Sequence, residues 1–188
     1  MQNSPANRVP SHGTTLFATS HSIDFVPVNE QGRTAPFTLA SLLRPEPADS
    51  FPGFGRPILA PLAGTVVAAD DAQADHPAHR GVPSLGYALT QRRRLAGGWP
   101  ALTGNHVLIE HEGVVVALCH LRQGSVRVRV GDLVGVGDVV AECGNSGNST
   151  EPHLHLQAMT SGDVARAEAV PITFGGALPA NGEIVEVR

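Results

Sequence analysis

The second half of the chain is built from short apolar runs rich in β-branched residues, each ended by glycine or a polar turn. Residues 106–110 and 114–121 are two such runs, and only a short glycine-containing turn separates them. Runs of this length favour strands, and their close spacing is typical of a β-hairpin. Gly (21) and Pro (15) together approach a fifth of the 188 residues, which favours turns over long helices. The sequence therefore predicts an all-β fold, a compact antiparallel sandwich or barrel-like domain with long loops.

The length of 188 residues is that of one domain. Strand-like runs extend from about residue 58 to about residue 158, whereas residues 70–104 have no clear period and are interpreted as an irregular loop. We expect one domain over residues 1–188 with its core at about 58–158. Whether the loop at 70–104 forms a lid stays open at this point.

The charge pattern excludes several classes of protein. The net charge is −4, which argues against a nucleic-acid partner held through phosphate contacts. All thirteen basic residues are arginine, so there is no lysine for a Schiff base, a phosphate loop or an attached biotin or lipoate. No run approaches the roughly 20 apolar residues of a membrane span. The first residues do not have the pattern of a signal peptide, and we expect a cytoplasmic protein unless an export signal is missing from this chain.

Two cysteines, Cys119 and Cys143, both stand in apolar strand-like runs. Two cysteines do not make a disulfide framework, and buried thiols are the interpretation that fits their surroundings. The sequence leaves open whether the two approach each other.

A histidine pair carries the strongest functional signal. His153 and His155 flank Leu154 in the run PHLHLQAM. Side chains two positions apart leave the same face of a strand, so both imidazoles would point one way and Leu154 toward the core. A shared metal ion would explain the pair, since neutral imidazole is a common zinc ligand. Two exposed polar residues on a half-buried strand are the alternative that the motif alone leaves open.

Two further polar residues stand inside apolar strand-like runs. His120 ends ALCHL, where burial without a partner would cost about 1–3 kcal/mol, and a position facing a metal centre avoids that cost. Asp24 lies in IDFVPV, where an unpaired buried charge is expensive. Catalytic zinc takes three protein ligands, often with a carboxylate among them, and Asp24 is the candidate for that carboxylate.

Residues 104–157 resemble the lysostaphin-type zinc metallopeptidases, which cut peptide cross-links in bacterial cell walls. GNHVLIEH is similar to the first hairpin strand of that family, and ALCHL stands in place of its aromatic-Ala-His-Leu segment. VRVGDLVGVGDVVAECGNSGNST resembles its V-x-x-G-D-x-V-x-x-G strands and the glycine-rich turn after them, and PHLHLQ its His-x-His strand. APLAGTVVAA at 60–69 is similar to its earlier P-x-x-G-x-V strand.

The resemblance implies a role for each of four residues. His155 would bind zinc, and Asp24 would be the aspartate ligand. His120 and His153 would be catalytic histidines beside the metal ion, and the sequence does not decide which of them is the general base.

The remaining ligand has two candidates. The family usually has a histidine four residues before the aspartate, and Ser20 occupies that position here. His21 is displaced by one residue, which would turn it to the other face of an extended strand. His12, in VPSHGT, is more similar to the Ser-His-x-Gly context of family members with longer loops. We favour His12, so that the N-terminal segment 9–28 supplies two of the three ligands of one Zn²⁺ per chain.

The resulting hypothesis is a zinc-dependent endopeptidase that hydrolyses peptide bonds between small residues in peptidoglycan or a related peptide. A catalytically inactive family member that binds a peptide or a partner is the alternative. It is favoured by the displaced first ligand and the missing export signal. Glu151 also departs from the family, in which a small residue usually precedes the His-x-His strand. We expect His76 and His79 to lie in a polar loop. His106 and His111 flank one strand, and we expect them at the surface or behind the metal ligands, not among them.

Overall fold

The computed structural model describes residues 1–36 and 38–186, without the side chain of Arg92. The described residues form nine strands, four short α-helices and two 3₁₀ segments, Leu16–His21 and Ala48–Ser50. In chain order the strands and α-helices are β1 (Ile23–Phe25), α1 (Leu39–Leu43), β2 (Pro57–Leu59), β3 (Gly64–Asp70), α2 (Val82–Leu89), α3 (Gln91–Ala96), α4 (Gly98–Thr103), β4 (Asn105–His111), β5 (Val114–Leu121), β6 (Leu133–Val134), β7 (Val139–Glu142), β8 (Leu154–Met159) and β9 (Ala169–Val170).

Seven strands form one sheet in the order β1–β8–β5–β4–β3–β6, with β9 also paired to β8. Every pairing in it is antiparallel, and β2 and β7 form a second, two-stranded antiparallel sheet. The predicted all-β class is confirmed. The barrel-like form is not adopted, because β1 and β6 end the strand order without pairing to each other within the described residues.

The period of two along the central strands gives the large sheet two apolar faces. On one face, Val107, Leu118 and Leu156 join a core cluster that also contains Ile58 of β2 and Val140 of β7, so the small sheet covers this face. The second face carries a smaller cluster formed by Leu108, Val115, Ala117, Cys119 and Met159 with residues from the first 3₁₀ segment. The polar site described below lies on this second face.

The segment interpreted as an irregular loop, residues 70–104, contains three consecutive helices, α2 to α4. The sequence does not predict these helices, because they are only 8, 6 and 6 residues long and are interrupted by glycine and proline. Most of their side chains are exposed or half-buried, so no amphipathic period marks them. Among the described residues, no helix has the length and apolar character to cross a membrane.

Candidate metal centre

Asp24 is the centre of the site. β1 adds to the edge of β8 with Asp24 directly opposite His155, so the two side chains leave the same face of the sheet. Asp24 Oδ1 lies 3.0 Å from His155 Nδ1, and Asn3 Nδ2 donates to Oδ2 at 2.7 Å. The Asp24 side chain is buried, 5% exposed, so its charge requires partners within the protein.

His12 reaches the same carboxylate from the N-terminal segment. That segment folds back on itself, with the Ser11 amide donating to the Ser20 carbonyl at 3.0 Å. His12 Nε2 then lies 3.1 and 3.2 Å from the two carboxylate oxygens of Asp24. Within the described residues, His12, Asp24 and His155 are the only cluster of three metal-ligating side chains, with ligand atoms within 4.8 Å of one another. His21, the other candidate, is not part of it.

The protonation of His155 follows from the hydrogen bonds behind it. Gln157 is fully buried, and its amide nitrogen donates to the Phe17 carbonyl at 2.9 Å. The amide oxygen of Gln157 therefore faces His155 Nε2, at 3.0 Å, and can only accept. Nε2 thus carries the proton, and the unprotonated Nδ1 of the neutral ring points at Asp24.

The protonation of His12 is determined in the same way. The hydroxyls of Ser11 and Ser22 both donate to the Thr19 carbonyl, at 3.1 and 2.8 Å. Their oxygens are then acceptors for His12 Nδ1, which lies 3.1 and 2.8 Å from them. The proton of the neutral ring is therefore on Nδ1, and the unprotonated Nε2 points at Asp24.

Two neutral imidazoles thus direct lone pairs at one buried carboxylate, an arrangement that repels unless a cation lies between them. Burial would raise the pKa of the Asp24 carboxyl, but the surrounding histidines hold it well below its usual range. Burial lowers the pKa of His155, and the hydrogen bond and charge of Asp24 raise it by more. Two nitrogens and a carboxylate are the donor set of a divalent metal site, and a metal ion bound between them would remove the repulsion.

A β-bulge directs His120 into the site. In the pairing of β4 with β5, Asn105 is opposite Leu121 and His106 is opposite Cys119, so His120 has no partner. Its φ of 61° is in the left-handed region, which non-glycine residues rarely adopt. Strict alternation would place His120 on the face opposite Cys119, and the extra residue reorients its side chain. Its ring lies beside the metal cluster, with its centroid 5.8 Å from that of His155.

His153 and His120 form a second pair of imidazoles with a ring-centroid distance of 4.7 Å. His120 Nδ1 lies 2.9 Å from the Ser146 carbonyl and His153 Nδ1 lies 2.8 Å from the Glu151 carbonyl. Since a carbonyl can only accept, each Nδ1 is protonated and each Nε2 has a free lone pair. Burial, with the two neighbouring histidines, holds the pKa of His120 well below its ordinary value, so this ring is neutral at pH 7. The pair is therefore able to accept protons.

The metal cluster and the histidine pair open onto one groove of about 330 Å³. Phe17 lines one side of it, and the segment of helices α2 to α4 contributes Tyr87, Arg94 and Trp99. This helical wall is not predicted from the sequence. Gln157 is not predicted as a site residue either, although the period of two places it on the same face as His155.

The other histidines lie outside the metal cluster. His76 and His79 lie next to Tyr87, and the ring of His79 stacks on that of Tyr87 with a centroid distance of 4.6 Å. His106 is buried beside Trp99, whereas His111 is exposed. The two cysteines are free and buried, and burial raises the pKa of the Cys143 thiol to about 12.

Residues 87–167 match the family model of Peptidase family M23. The chain is 30% identical over 89 residues to the glycyl-glycine endopeptidase ALE-1 of Staphylococcus capitis, an alignment that covers 46% of this chain and 24% of the relative. The chain is a relative of the lysostaphin-type M23 peptidases. The resemblance inferred from the sequence is thereby confirmed. The M23 match contains His120, His153 and His155, whereas His12 and Asp24 precede it.

Two further comparisons, one of sequence and one of structure, are with lysostaphin. Lysostaphin of Staphylococcus simulans is 33% identical over 76 residues, which cover 39% of this chain and 15% of the relative. The solved catalytic domain of the antimicrobial peptidase lysostaphin from the same organism aligns with a TM-score of 0.41 and 20% identity, over 72% of this chain and 84% of that chain. The aligned segment thus spans about a quarter or less of the length of these curated relatives.

The contact between Gln157 and His155 gives a first testable prediction for this site. Replacing Gln157 with leucine removes the acceptor that fixes the proton on His155 Nε2. We expect metal affinity to fall by about 10- to 100-fold, the usual effect of losing such a supporting hydrogen bond. Competition with a chromophoric chelator measures the affinity. Gln123→Leu, an exposed glutamine that donates to the Ala72 carbonyl, is the control. Unchanged affinity in a folded Gln157→Leu protein would contradict the tautomer assignment.

Proposed function

We propose that the chain is a zinc-dependent endopeptidase that holds one Zn²⁺ through His12, Asp24 and His155. The observation that carries the proposal is the buried Asp24 carboxylate, with His12 Nε2 at 3.1 Å and His155 Nδ1 at 3.0 Å from its oxygens. Three nitrogen and oxygen ligands are what a protein contributes to a catalytic zinc site, which keeps its fourth position open. Bound there, Zn²⁺ would supply Lewis acidity, polarising a carbonyl group and lowering the pKa of water.

His120 and His153 are proposed to move the protons of the hydrolysis. Each has an unprotonated Nε2 and a Nδ1 anchored on a carbonyl, so each ring is fixed in the tautomer that a general base requires. One Nε2 would accept a proton from the attacking water and return it to the leaving amine. The other histidine, when protonated, would donate to the oxyanion of the tetrahedral intermediate. The histidine pair would thus carry out proton transfer while the three ligands hold the metal ion.

The proposed targets are peptide bonds between small residues, in peptidoglycan or a related peptide. The relative ALE-1 is named a glycyl-glycine endopeptidase, and the alignment to it covers 24% of that protein. A glycine peptide is therefore the first substrate to test.

The test combines metal analysis with a cleavage assay. We expect the purified protein to contain close to one zinc ion per chain and to cleave pentaglycine. A chelator should abolish the cleavage and added Zn²⁺ should restore it, because the proposed chemistry depends on the metal ion. His111→Ala, which changes an exposed histidine, is the matched control and should behave as wild type. Absence of zinc even after reconstitution would instead favour a non-catalytic module that binds a peptide or a partner.

A further inference from the structure

Arg94 of α3 lines the same groove as Asp24, His120 and His153. It is half-buried, and it belongs to the helical segment that forms one wall of that groove. An arginine in such a position places a permanent positive charge beside the route that a peptide would take through the site.

The guanidinium of Arg94 is fixed by neutral groups. Its Nε donates to Asn148 Oδ1 at 2.5 Å, Nη1 to Thr90 Oγ1 at 2.7 Å and Nη2 to the Tyr87 carbonyl at 2.6 Å. The charged carbon also lies 3.6 Å from the centre of the Tyr87 ring. These contacts use three of the five N–H donors and hold the planar group rigidly, so little entropy is lost when a ligand binds.

No carboxylate of the described residues lies within ion-pair distance of Arg94. The ion pairs of other arginines show the contrast: Arg80 pairs with Glu46 at 2.7 Å, and Arg122 with Glu142 at 2.6 Å. Arg94 is thus a preorganised, half-buried cation that forms no ion pair with the described residues, and two of its N–H groups have no acceptor among them. A carboxylate is the ligand that matches such a group best, since a charge-assisted hydrogen bond is about twice as strong as a neutral one.

We propose that Arg94 is a specificity-determining residue that binds a carboxylate of the substrate, either the chain end of a peptide or an acidic side chain close to the cleaved bond. The proposal rests on the proposed function in so far as it takes the groove to be the peptide site. It narrows the substrate class from small-residue peptides in general to small-residue peptides that carry a free carboxylate.

Binding tests this directly and does not require cleavage. Trp99, the single tryptophan of the chain, lines the groove and reports binding through its fluorescence. The ligands are tri-, tetra- and pentaglycine, each as the free acid and as the C-terminal amide. The carboxylate thus lies at three different distances from the N-terminus of the peptide. A fourth ligand, acetyl-Gly-Asp-Gly amide, places it on a side chain. We expect the best free acid or the aspartyl peptide to bind about 10- to 100-fold more tightly than its uncharged counterpart.

Variants separate recognition from a structural role. Arg94→Gln should abolish the preference for the carboxylate, because it weakens binding of the free acids alone. Binding of the amides should stay within about twofold of wild type. Arg94→Lys should keep part of the preference, because lysine keeps the positive charge but not the planar guanidinium with its paired N–H donors. Arg93→Ala, which changes an exposed neighbour outside the groove lining, should keep all of it.

Several outcomes would overturn the proposal: equal binding of acids and amides, binding of neither, or equal loss of both in Arg94→Gln. A preference that survives in Arg94→Gln would assign the carboxylate to the metal ion and would also overturn it. Failure of the proposed function gives a different result. If the protein binds acids more tightly than amides through Arg94 but cleaves none of them, only the proposed peptidase function is refuted. Cleavage without any difference between acid and amide, in assay and titration alike, refutes only the role of Arg94.

Discussion

Asp24→Ala is expected to purify without bound zinc and to fail to take it up on reconstitution. Among the described residues, the Asp24 carboxylate is the one group about 3 Å from both unprotonated nitrogens, His12 Nε2 and His155 Nδ1. Its removal deletes a proposed ligand and the only negative charge of the cluster. The loss of affinity should therefore exceed the roughly 10- to 100-fold that changes outside the ligand set produce. Elemental analysis of the purified variant and chelator competition measure this effect.

Two histidine variants test the rest of the ligand set. His12→Ala should lose zinc as Asp24→Ala does, whereas His21→Ala should retain it, because His12 contacts the Asp24 carboxylate and His21 lies outside the cluster. The thermal melting temperature of each zinc-free variant shows whether it still folds. Retention of zinc in His12→Ala together with its loss in His21→Ala would contradict the proposed ligand set.

The sequence predicts the parts of this site that depend on local periodicity. The i, i+2 spacing of His153 and His155 predicts that both lie on one face, and both line the groove with Asp24. The aspartate inside an apolar run predicts a partnered charge, and Asp24 is partnered. In both cases a two-residue period, or the cost of burying a charge, is enough for the inference.

The remaining parts depend on long-range packing, which periodicity does not encode. The pairing of β1 with β8 brings together residues 131 positions apart, Asp24 and His155. His12 joins them only because a loop folds back, and His120 only because a bulge reverses its direction. Nothing in its sequence context distinguishes Arg94 from the exposed Arg93. The difference arises where the turn carrying Asn148 meets α3.

His120→Ala and His153→Ala are each expected to lower kcat by about 10²- to 10⁴-fold, the range for losing a general acid or base. Zinc content should stay near that of wild type, because neither residue is in the ligand cluster. Zinc content is the stricter test for His153, because its Nε2 lies only 3.7 Å from Asp24 Oδ1. Pentaglycine cleavage and elemental analysis on the same preparations make the test, with His111→Ala as the matched histidine control.

The double variant His120→Ala/His153→Ala tests whether the two rings act together. Their centroids are 4.7 Å apart, and both have an unprotonated Nε2. If they serve one step, removing the second ring should cost little more than removing the first, because residues that act as a unit are strongly non-additive. Additive losses would mean that they act in separate steps. Loss of zinc in either single variant would instead make that histidine a ligand, and its proposed catalytic role would be wrong.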